Sequence, residues 1–120
     1  MDVKKLSYNE LNELANSLRK RIISVTQKNG GHLASNLGAV ELTIALHKVL
    51  DLDKDYIVWD VGHQCYAHKL LTGRGELMEN LRHDGGASGF PSPVESPSDP
   101  FITGHSGNSL SLALGLARAN

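Results

Sequence analysis

The chain has 120 residues, a length typical of one domain with a single modest core. Hydrophobic residues make up 40% and charged residues 21%, and these near-average fractions exclude a disordered or collagen-like chain. Because 12 basic and 13 acidic residues leave a net charge of -1, we expect no general attraction to nucleic acid or to an anionic membrane.

Cysteine usage and the first residues indicate the compartment. Cys65 is the only cysteine, so a disulfide within the chain is impossible. Met1 leads into a charged segment without an apolar stretch of signal or membrane length. We therefore expect a cytoplasmic protein with no membrane partner.

The first predicted element is a helix. Ser7-Tyr8-Asn9-Glu10 has the S-x-x-E form of a capping box, in which two side chains bond the first free amides. Apolar residues follow at helical spacing until Asn29-Gly30-Gly31, whose glycines favour a helix stop. The pattern predicts an amphipathic surface helix.

The middle of the chain predicts a second helix and a strand. Apolar residues nearly encircle the helical pattern over 36–50, so this helix is expected to be buried or to await a partner. Tyr56–Asp60 is a short β-branched and aromatic run closed by Gly62, which is typical of an interior strand.

The second half of the chain reads as short elements and loops. Short helices anchored by leucines and Met78 are expected over 64–82. Four prolines and three glycines over 84–100 predict a long irregular loop or a poorly matched hairpin, and Ser109–Ala119 is again a helical pattern. A single strand cannot pair its own backbone, so we expect residues 1–120 to be one incomplete domain, the opening part of a larger α/β unit.

Three Gly-His pairs carry the functional signal: Gly31-His32, Gly62-His63 and Gly104-His105. Glycine permits close backbone approach to a ligand, and histidine donates to anions or moves protons near neutral pH. The pairs at residues 31 and 104 are followed by Ser35-Asn36 and by 106–109, at predicted helix N-termini that attract phosphate. Together they indicate a phosphorylated ligand.

The other chemically notable residues favour structural roles. His47 lies in a buried helix pattern and His83 beside a loop. His63 and His68 have no Cys/His quartet of zinc spacing around them, and Cys65 is expected to be buried and inert. The chain also lacks a Walker motif and a G-x-G-x-x-G after a strand, which excludes ordinary nucleotide-binding readings.

At residues 30–43 the sequence GGHLASNLGAVELT resembles the opening motif of the 1-deoxy-D-xylulose-5-phosphate synthase family, a transketolase-like group of thiamine diphosphate enzymes. The likeness continues through WDVGHQCYAHKLLTGR at 59–74, Gly89-Phe90-Pro91 with Glu95-Ser96, and Gly104-His105-Ser106. The strings DVGHQ and HKxLTGR are specific to this synthase within the transketolase group. Order and spacing hold across nearly the whole chain.

The resemblance implies the start of a thiamine diphosphate-binding domain with a doubly wound, mostly parallel sheet and helices on both faces. His63, Gly104, His105 and Ser106 would then bind the cofactor diphosphate. His32 would transfer protons near the reacting centre, and His105 would lie near the reacting donor. The implied enzyme is a transferase that condenses pyruvate with glyceraldehyde 3-phosphate to 1-deoxy-D-xylulose 5-phosphate and CO2, a precursor of isoprenoids and thiamine.

The resemblance also implies what residues 1–120 lack. The family's Gly-Asp-Gly motif for Mg²⁺ and its activating glutamate would lie beyond residue 120, so this chain is expected to supply no metal ligand and to be inactive alone. Its partner would be the remainder of the synthase, in the same or a separate chain, as a homodimer when complete.

Ser106-Gly107-Asn108-Ser109 departs from the family's Ser-Ser-Thr-Ser, which leaves donor and acceptor specificity unsettled.

The sequence leaves two other functions open. One alternative is a subunit of a split transketolase acting on sugar phosphates, which the DVGHQ string disfavours. The other is a non-catalytic, truncated remnant whose apolar helices make it an interaction module.

Overall fold

The computed structural model describes residues 2–120, and every regular element in that range is a helix. A 3-10 turn over Val3–Lys5 is followed by six α-helices: α1 (Tyr8–Asn29), α2 (Ala34–Leu37), α3 (Val40–Val49), α4 (Tyr66–Leu71), α5 (Gly75–Met78) and α6 (Ser109–Ala119).

Helix α1 confirms the first prediction, including both of its ends. The Ser7 hydroxyl accepts from the Glu10 amide at 3.2 Å, and the Glu10 carboxylate accepts from the Ser7 amide at 3.0 Å. The helix ends where Gly30 takes a φ of 80°, a conformation that costs glycine little. Its inner face packs into the core through Leu14, Leu18, Ile22 and Val25.

The apolar pattern over 36–50 forms two helices, and of the two expectations for it, burial or an apolar face that awaits a partner, the structure agrees with the second. Helix α3 packs against α1, α4 and the 3-10 turn through one face, which holds Val40 and Ile44. On its other side Leu42 is 58% exposed and Val49 80% exposed. Because no element within residues 2–120 covers this side, the apolar face has no partner there.

The prediction of a strand at Tyr56–Asp60 is wrong for the described residues, because none of residues 2–120 forms a strand. Ile57 and Trp59 are buried and Tyr56 and Asp60 are exposed, so burial alternates as it would in a strand. The backbone of 56–59 makes no hydrogen bond to any residue of 2–120. The pattern is present, but a ladder needs a neighbouring strand, and the described part of the chain supplies none.

Helix α4 and the turns after it close the core, as predicted for 64–82. Tyr66 and Met78 are completely buried, and so is Leu81 just beyond α5. Cys65 is fully buried at the start of α4, and burial raises the pKa of its thiol to about 12. The thiol is therefore protonated, which agrees with the expectation of a buried cysteine without nucleophilic reactivity.

The irregular loop over 84–100, also confirmed, is held to α4 and α5 by buried charges. Lys69 Nζ donates to the carbonyl oxygens of Ser88 and Phe90, both at 2.7 Å, and to Glu95 Oε1 at 2.9 Å. The Arg74 guanidinium binds Asp99 through two hydrogen bonds of 2.6 and 2.9 Å. Charged donors thus replace the regular backbone pairing that this proline-rich segment cannot make.

Two histidines extend this buried cluster into α3. His68 Nε2 lies 3.1 Å from Asp99 Oδ1, and His68 Nδ1 lies 2.9 Å from His47 Nε2. Burial alone would raise the pKa of Asp99, but its hydrogen bonds with His68, Arg74 and the Ser92 amide together hold it well below its usual range. The ionised carboxylate only accepts, so His68 donates to it through Nε2, and one proton lies between His68 Nδ1 and His47 Nε2. His47 is structural, as predicted.

We predict that stability falls as pH drops from about 6.5 to about 4 because of His47. Burial, followed by the charges of His68 and Lys4, lowers its pKa to about 4. The unfolded chain therefore binds a proton in this window that the folded chain does not, and stabilisation present above the unfolded pKa is lost on acidification. The loss from this group should reach about 3 kcal/mol.

Urea unfolding of the chain and of His47→Gln between pH 7 and pH 4.5 measures this effect. Glutamine keeps a donor near the Nε2 position but does not titrate, so its unfolding free energy should depend less on pH. Equal pH dependence in the two proteins would contradict the assignment.

Candidate functional site

Two of the three Gly-His pairs meet in the structure. His32 follows the C-terminal end of α1, and His63 lies in the loop before α4. Their ring centroids are 4.8 Å apart with an angle of 48° between the planes. His105 is exposed, precedes α6, and forms no hydrogen bond with either ring. The site thus has a histidine pair, with the third histidine on a separate segment.

Asn36 joins the two loops that carry the histidine pair. Its side-chain amide donates to the carbonyl oxygens of His32 at 2.6 Å and of His63 at 2.8 Å, and its oxygen accepts from the Tyr66 amide at 2.9 Å. Asn36 is 1% exposed, inside the one-turn helix α2. Helix α2 begins at Ala34, so Ser35 and Asn36 lie in its first turn, and the Asn36 side chain binds two loops together.

Helix α4 also supports the first Gly-His pair. The Tyr66 hydroxyl accepts from the His32 amide at 3.2 Å. Gly31 has a φ of +123°, and a Cβ on it would lie 2.8 Å from that hydroxyl, closer than side chains tolerate. Glycine is required here for both conformation and space.

The second and third Gly-His segments touch through their backbones. Gly62 has a φ of +128°, and a Cβ on it would overlap the carbonyl oxygen of Thr103. Phe90 lies between the first and third Gly-His segments. Its ring centroid is 6.3 Å from that of His32, and a Cβ on Gly104 would lie 3.8 Å from the Phe90 ring. Gly104 is thus part of the same surface as the histidine pair, with Phe90 between them.

The charge around the histidine pair is basic. Partial burial, then the charges of His63 and Arg82, lower the pKa of His32. Arg82 has a φ of 67° and lies beside Gly30, 3.2 Å from where a Cβ would stand. The imidazoles of His32, His63 and His105 make no hydrogen bond to any residue in 2–120, so each is free to bind an anion. Arg82 belongs to no Gly-His motif, so no motif of the sequence marks it as part of this site.

The N-terminus of α6 already holds an anionic side chain. The Asp60 carboxylate accepts from the Gly107 amide at 2.9 Å, from the Ser109 amide at 3.4 Å and from the Ser109 hydroxyl at 2.6 Å. The Ser109 hydroxyl bond and then the Gly107 amide lower the pKa of Asp60. The phosphate-attracting amides predicted for this helix therefore bind a carboxylate of the chain itself.

Two further observations bear on cofactor and membrane. Across residues 2–120 no group of three or more His, Cys, Asp or Glu side chains is placed to hold a metal ion. In the same range no helix is both long and apolar enough to cross a membrane.

Comparison with known proteins gives the class and then the family. The model of the family described as 1-deoxy-D-xylulose-5-phosphate synthase matches residues 1–120. A protein of that name from Chlamydia abortus is 62% identical over 119 residues, and those from Dictyoglomus turgidum and Dechloromonas aromatica are each 58% identical over 118 residues. Each match covers 98% of this chain. The chain belongs to the 1-deoxy-D-xylulose-5-phosphate synthase family.

The match covers only the N-terminal part of that architecture. The chain spans 18% of the Chlamydia abortus protein and 19% of the Dictyoglomus turgidum protein. The family predicted from the Gly-His motifs is confirmed. Within residues 2–120 the structure shows a partial domain.

We predict that Asn36→Ala destabilises the chain by about 2 to 4 kcal/mol, because it leaves two part-buried carbonyls and the buried Tyr66 amide without their partner. Asn36→Asp should be no better, since a carboxylate faces two carbonyl oxygens that it cannot donate to. Chemical denaturation gives the free energies of unfolding. The control is Asn12→Ala on the exposed face of α1, which should change stability by less than about 0.5 kcal/mol. An Asn36→Ala variant as stable as that control would refute the joining role.

Proposed function

We propose that this chain is the N-terminal part of a thiamine diphosphate-dependent transferase that condenses pyruvate with glyceraldehyde 3-phosphate to 1-deoxy-D-xylulose 5-phosphate and CO2. The observation that carries the proposal is the His32–His63 pair, with rings 4.8 Å apart and imidazoles free of protein partners. Family membership over residues 1–120 supports the reaction class.

The residues present fit one part of a diphosphate site. The Thr103 hydroxyl is buried without a hydrogen-bond partner, directly before Gly104 and against Gly62. Glycines at 62 and 104 let backbone approach a ligand, and His63, His105 and Ser106 offer donors to phosphate oxygens. We propose that His63, Gly104, His105 and Ser106 hold the diphosphate. The Mg²⁺ that accompanies it would be held by residues outside 1–120.

We propose that His32 transfers protons near the reacting centre. When bound, thiamine diphosphate supplies the carbanion chemistry that decarboxylates pyruvate and joins the remaining carbons to the aldehyde. A histidine with a lowered pKa is largely neutral at pH 7 and is ready to accept a proton. His105 is proposed to lie near the reacting donor.

The proposed setting is the N-terminal portion of a cofactor domain with a mostly parallel sheet. Alternating burial and unpaired backbone over 56–59 support this, because a strand supplied by the rest of the protein would pair those groups. His63 would then stand just beyond the C-terminal end of a strand, where open α/β sheets bind ligands. We further propose that the complete protein is a homodimer.

A non-catalytic interaction module is the second candidate, favoured by one observation. Leu42 and Val49 on α3, and Leu110 and Leu114 on α6, are exposed apolar side chains without a partner in residues 2–120. The same surface is expected in a part of a larger enzyme, so the two functions must be separated by activity.

A chimera separates them. Residues 1–120 are joined to the remaining sequence of the Dictyoglomus turgidum relative, in place of the matching segment, and the protein is assayed with pyruvate and glyceraldehyde 3-phosphate. Release of CO2 with formation of the five-carbon product is expected. A folded chimera that is inactive with pyruvate but active with a ketose phosphate would favour the transketolase alternative, and one inactive with both would favour the module.

Substitution of the two paired histidines in the active chimera should separate their roles. His63→Ala should weaken cofactor affinity by roughly ten- to hundredfold, the effect of losing a charge-assisted bond of about 1.4 to 3 kcal/mol. His32→Ala should mainly lower turnover at saturating cofactor, by about 10² to 10⁴-fold.

Cofactor dissociation constants and saturated rates measure this split, with His83→Ala in an exposed loop as the control. Normal cofactor affinity but lost turnover in His63→Ala would show that the two roles are exchanged.

For the 120-residue chain alone, we predict very weak binding of thiamine diphosphate and no turnover. A diphosphate would rely on imidazoles and a few amides, each worth about 1.5 to 3 kcal/mol, and lost ligand freedom offsets much of that. Calorimetry with cofactor and Mg²⁺ tests this. Micromolar binding would contradict it.

A further inference from the structure

The side chain of His68 lies where three segments of the candidate site converge. It is 1% exposed, and its neighbours are His47 of α3, Asp99 of the 84–100 loop and Trp59 of the predicted strand segment. Three connections, through helix α4, Asp99 and Trp59, reach different parts of the site. None of these residues is assigned to cofactor binding or proton transfer above.

The first connection is helix α4 itself. His68 is two residues after Tyr66, whose hydroxyl accepts from the His32 amide and whose own amide donates to Asn36. A displacement of α4 therefore moves the support of both His32 and the loop of His63.

The second connection is Asp99. This carboxylate accepts from His68, from Arg74 and from the Ser92 amide at 2.8 Å, so it fastens both ends of the segment 92–99. Phe90 lies two residues before that segment and Gly104 five residues after Asp99. Both belong to the surface around His32.

The third connection is Trp59, whose ring centroid lies 5.8 Å from that of His68. Trp59 is buried and stands three residues before Gly62, whose backbone contacts Thr103. His68 is thus packed against the segment that leads into the second Gly-His pair.

Both ring nitrogens of His68 make a hydrogen bond. Nε2 donates to Asp99, and Nδ1 lies 2.9 Å from His47 Nε2, so the ring of His68 is fixed at both nitrogens. The neighbouring charges of Arg74, Lys69 and Glu95 balance that of Asp99. Replacing a whole buried polar network with apolar side chains is often neutral for stability, so we look to the orientation of His68 for the role of this network.

We propose that His68, fixed by Asp99 and His47, is a positioning residue that sets Phe90, Gly104 and Gly62 against His32 and His63. It touches no substrate or cofactor. Its effect on catalysis rests on the proposed function, whereas its effect on the geometry of the site does not.

The first test uses the 120-residue chain and needs no activity. NMR spectra record the contact between the rings of Phe90 and His32 and the amide signals of His32, His63 and Gly104. His68→Leu should lose the Phe90–His32 contact and shift all three amides. His68→Gln, which keeps a donor toward Asp99, should keep the contact. His83→Leu is the matched control and should change none of these signals.

The second test uses the active chimera. His68→Leu should lower kcat by about 10- to 100-fold, the cost of displacing reacting groups by about 1 Å, and His68→Gln should restore most of the rate. A residue needed only for stability would leave kcat unchanged in the folded protein and would lower only the denaturation midpoint.

The outcomes are distinct. A folded His68→Leu chain with unchanged site signals overturns the proposal. If His68→Leu does not fold, His47→Leu decides, because it removes only the outer hydrogen bond: shifted His32 and Gly104 signals support positioning, and unchanged signals overturn it. An inactive unsubstituted chimera counts against the proposed function, while the NMR result still decides on His68.

Discussion

The burial of helix α4 is the constraint on which the rest of the structure depends. Four consecutive residues, Tyr66 to Lys69, are at most 1% exposed, and three of them carry polar groups. Each such group must find a partner or lose about 1 to 3 kcal/mol. Because α4 is only six residues long, most of these partners lie in loops, and the contacts with α4 fix the positions of those loops.

This constraint explains why the site is well formed without a sheet. Tyr66 holds the loop of His32, and Lys69 and His68 hold the loop of Phe90 and Asp99. Asn36 adds the link between the two histidine loops. Irregular segments rich in glycine and proline have little order of their own, so their shape here is the shape of the polar contacts that they make.

Local signals in the sequence predicted the parts of the structure that local forces decide. The capping box, the glycine stop of α1 and the lack of regular structure over 84–100 are marked by adjacent residues, and burial of Cys65 agrees with the general preference of free cysteines for the interior. The strand at 56–60 failed because pairing depends on residues far away in the chain. Asn36, the Asp99–Arg74 pair and the Asp60 contact at α6 were missed for the same reason, since each joins residues at least 25 positions apart or fills a role that no local motif marks.

The Asp60 carboxylate limits how the third Gly-His segment can bind an anion. The amides of Gly107 and Ser109 already donate to one anion, the Asp60 carboxylate. A diphosphate at Gly104–Ser106 would repel that carboxylate if it used the same amides, since two anions cannot share a helix N-terminus without a cation between them. With Asp60 in place, the proposed cofactor site must therefore draw its positive potential from His63 and His105 and from a metal ion supplied by the rest of the protein. This is why the proposed site is electrostatically incomplete within residues 2–120, even though its backbone is already arranged for a ligand.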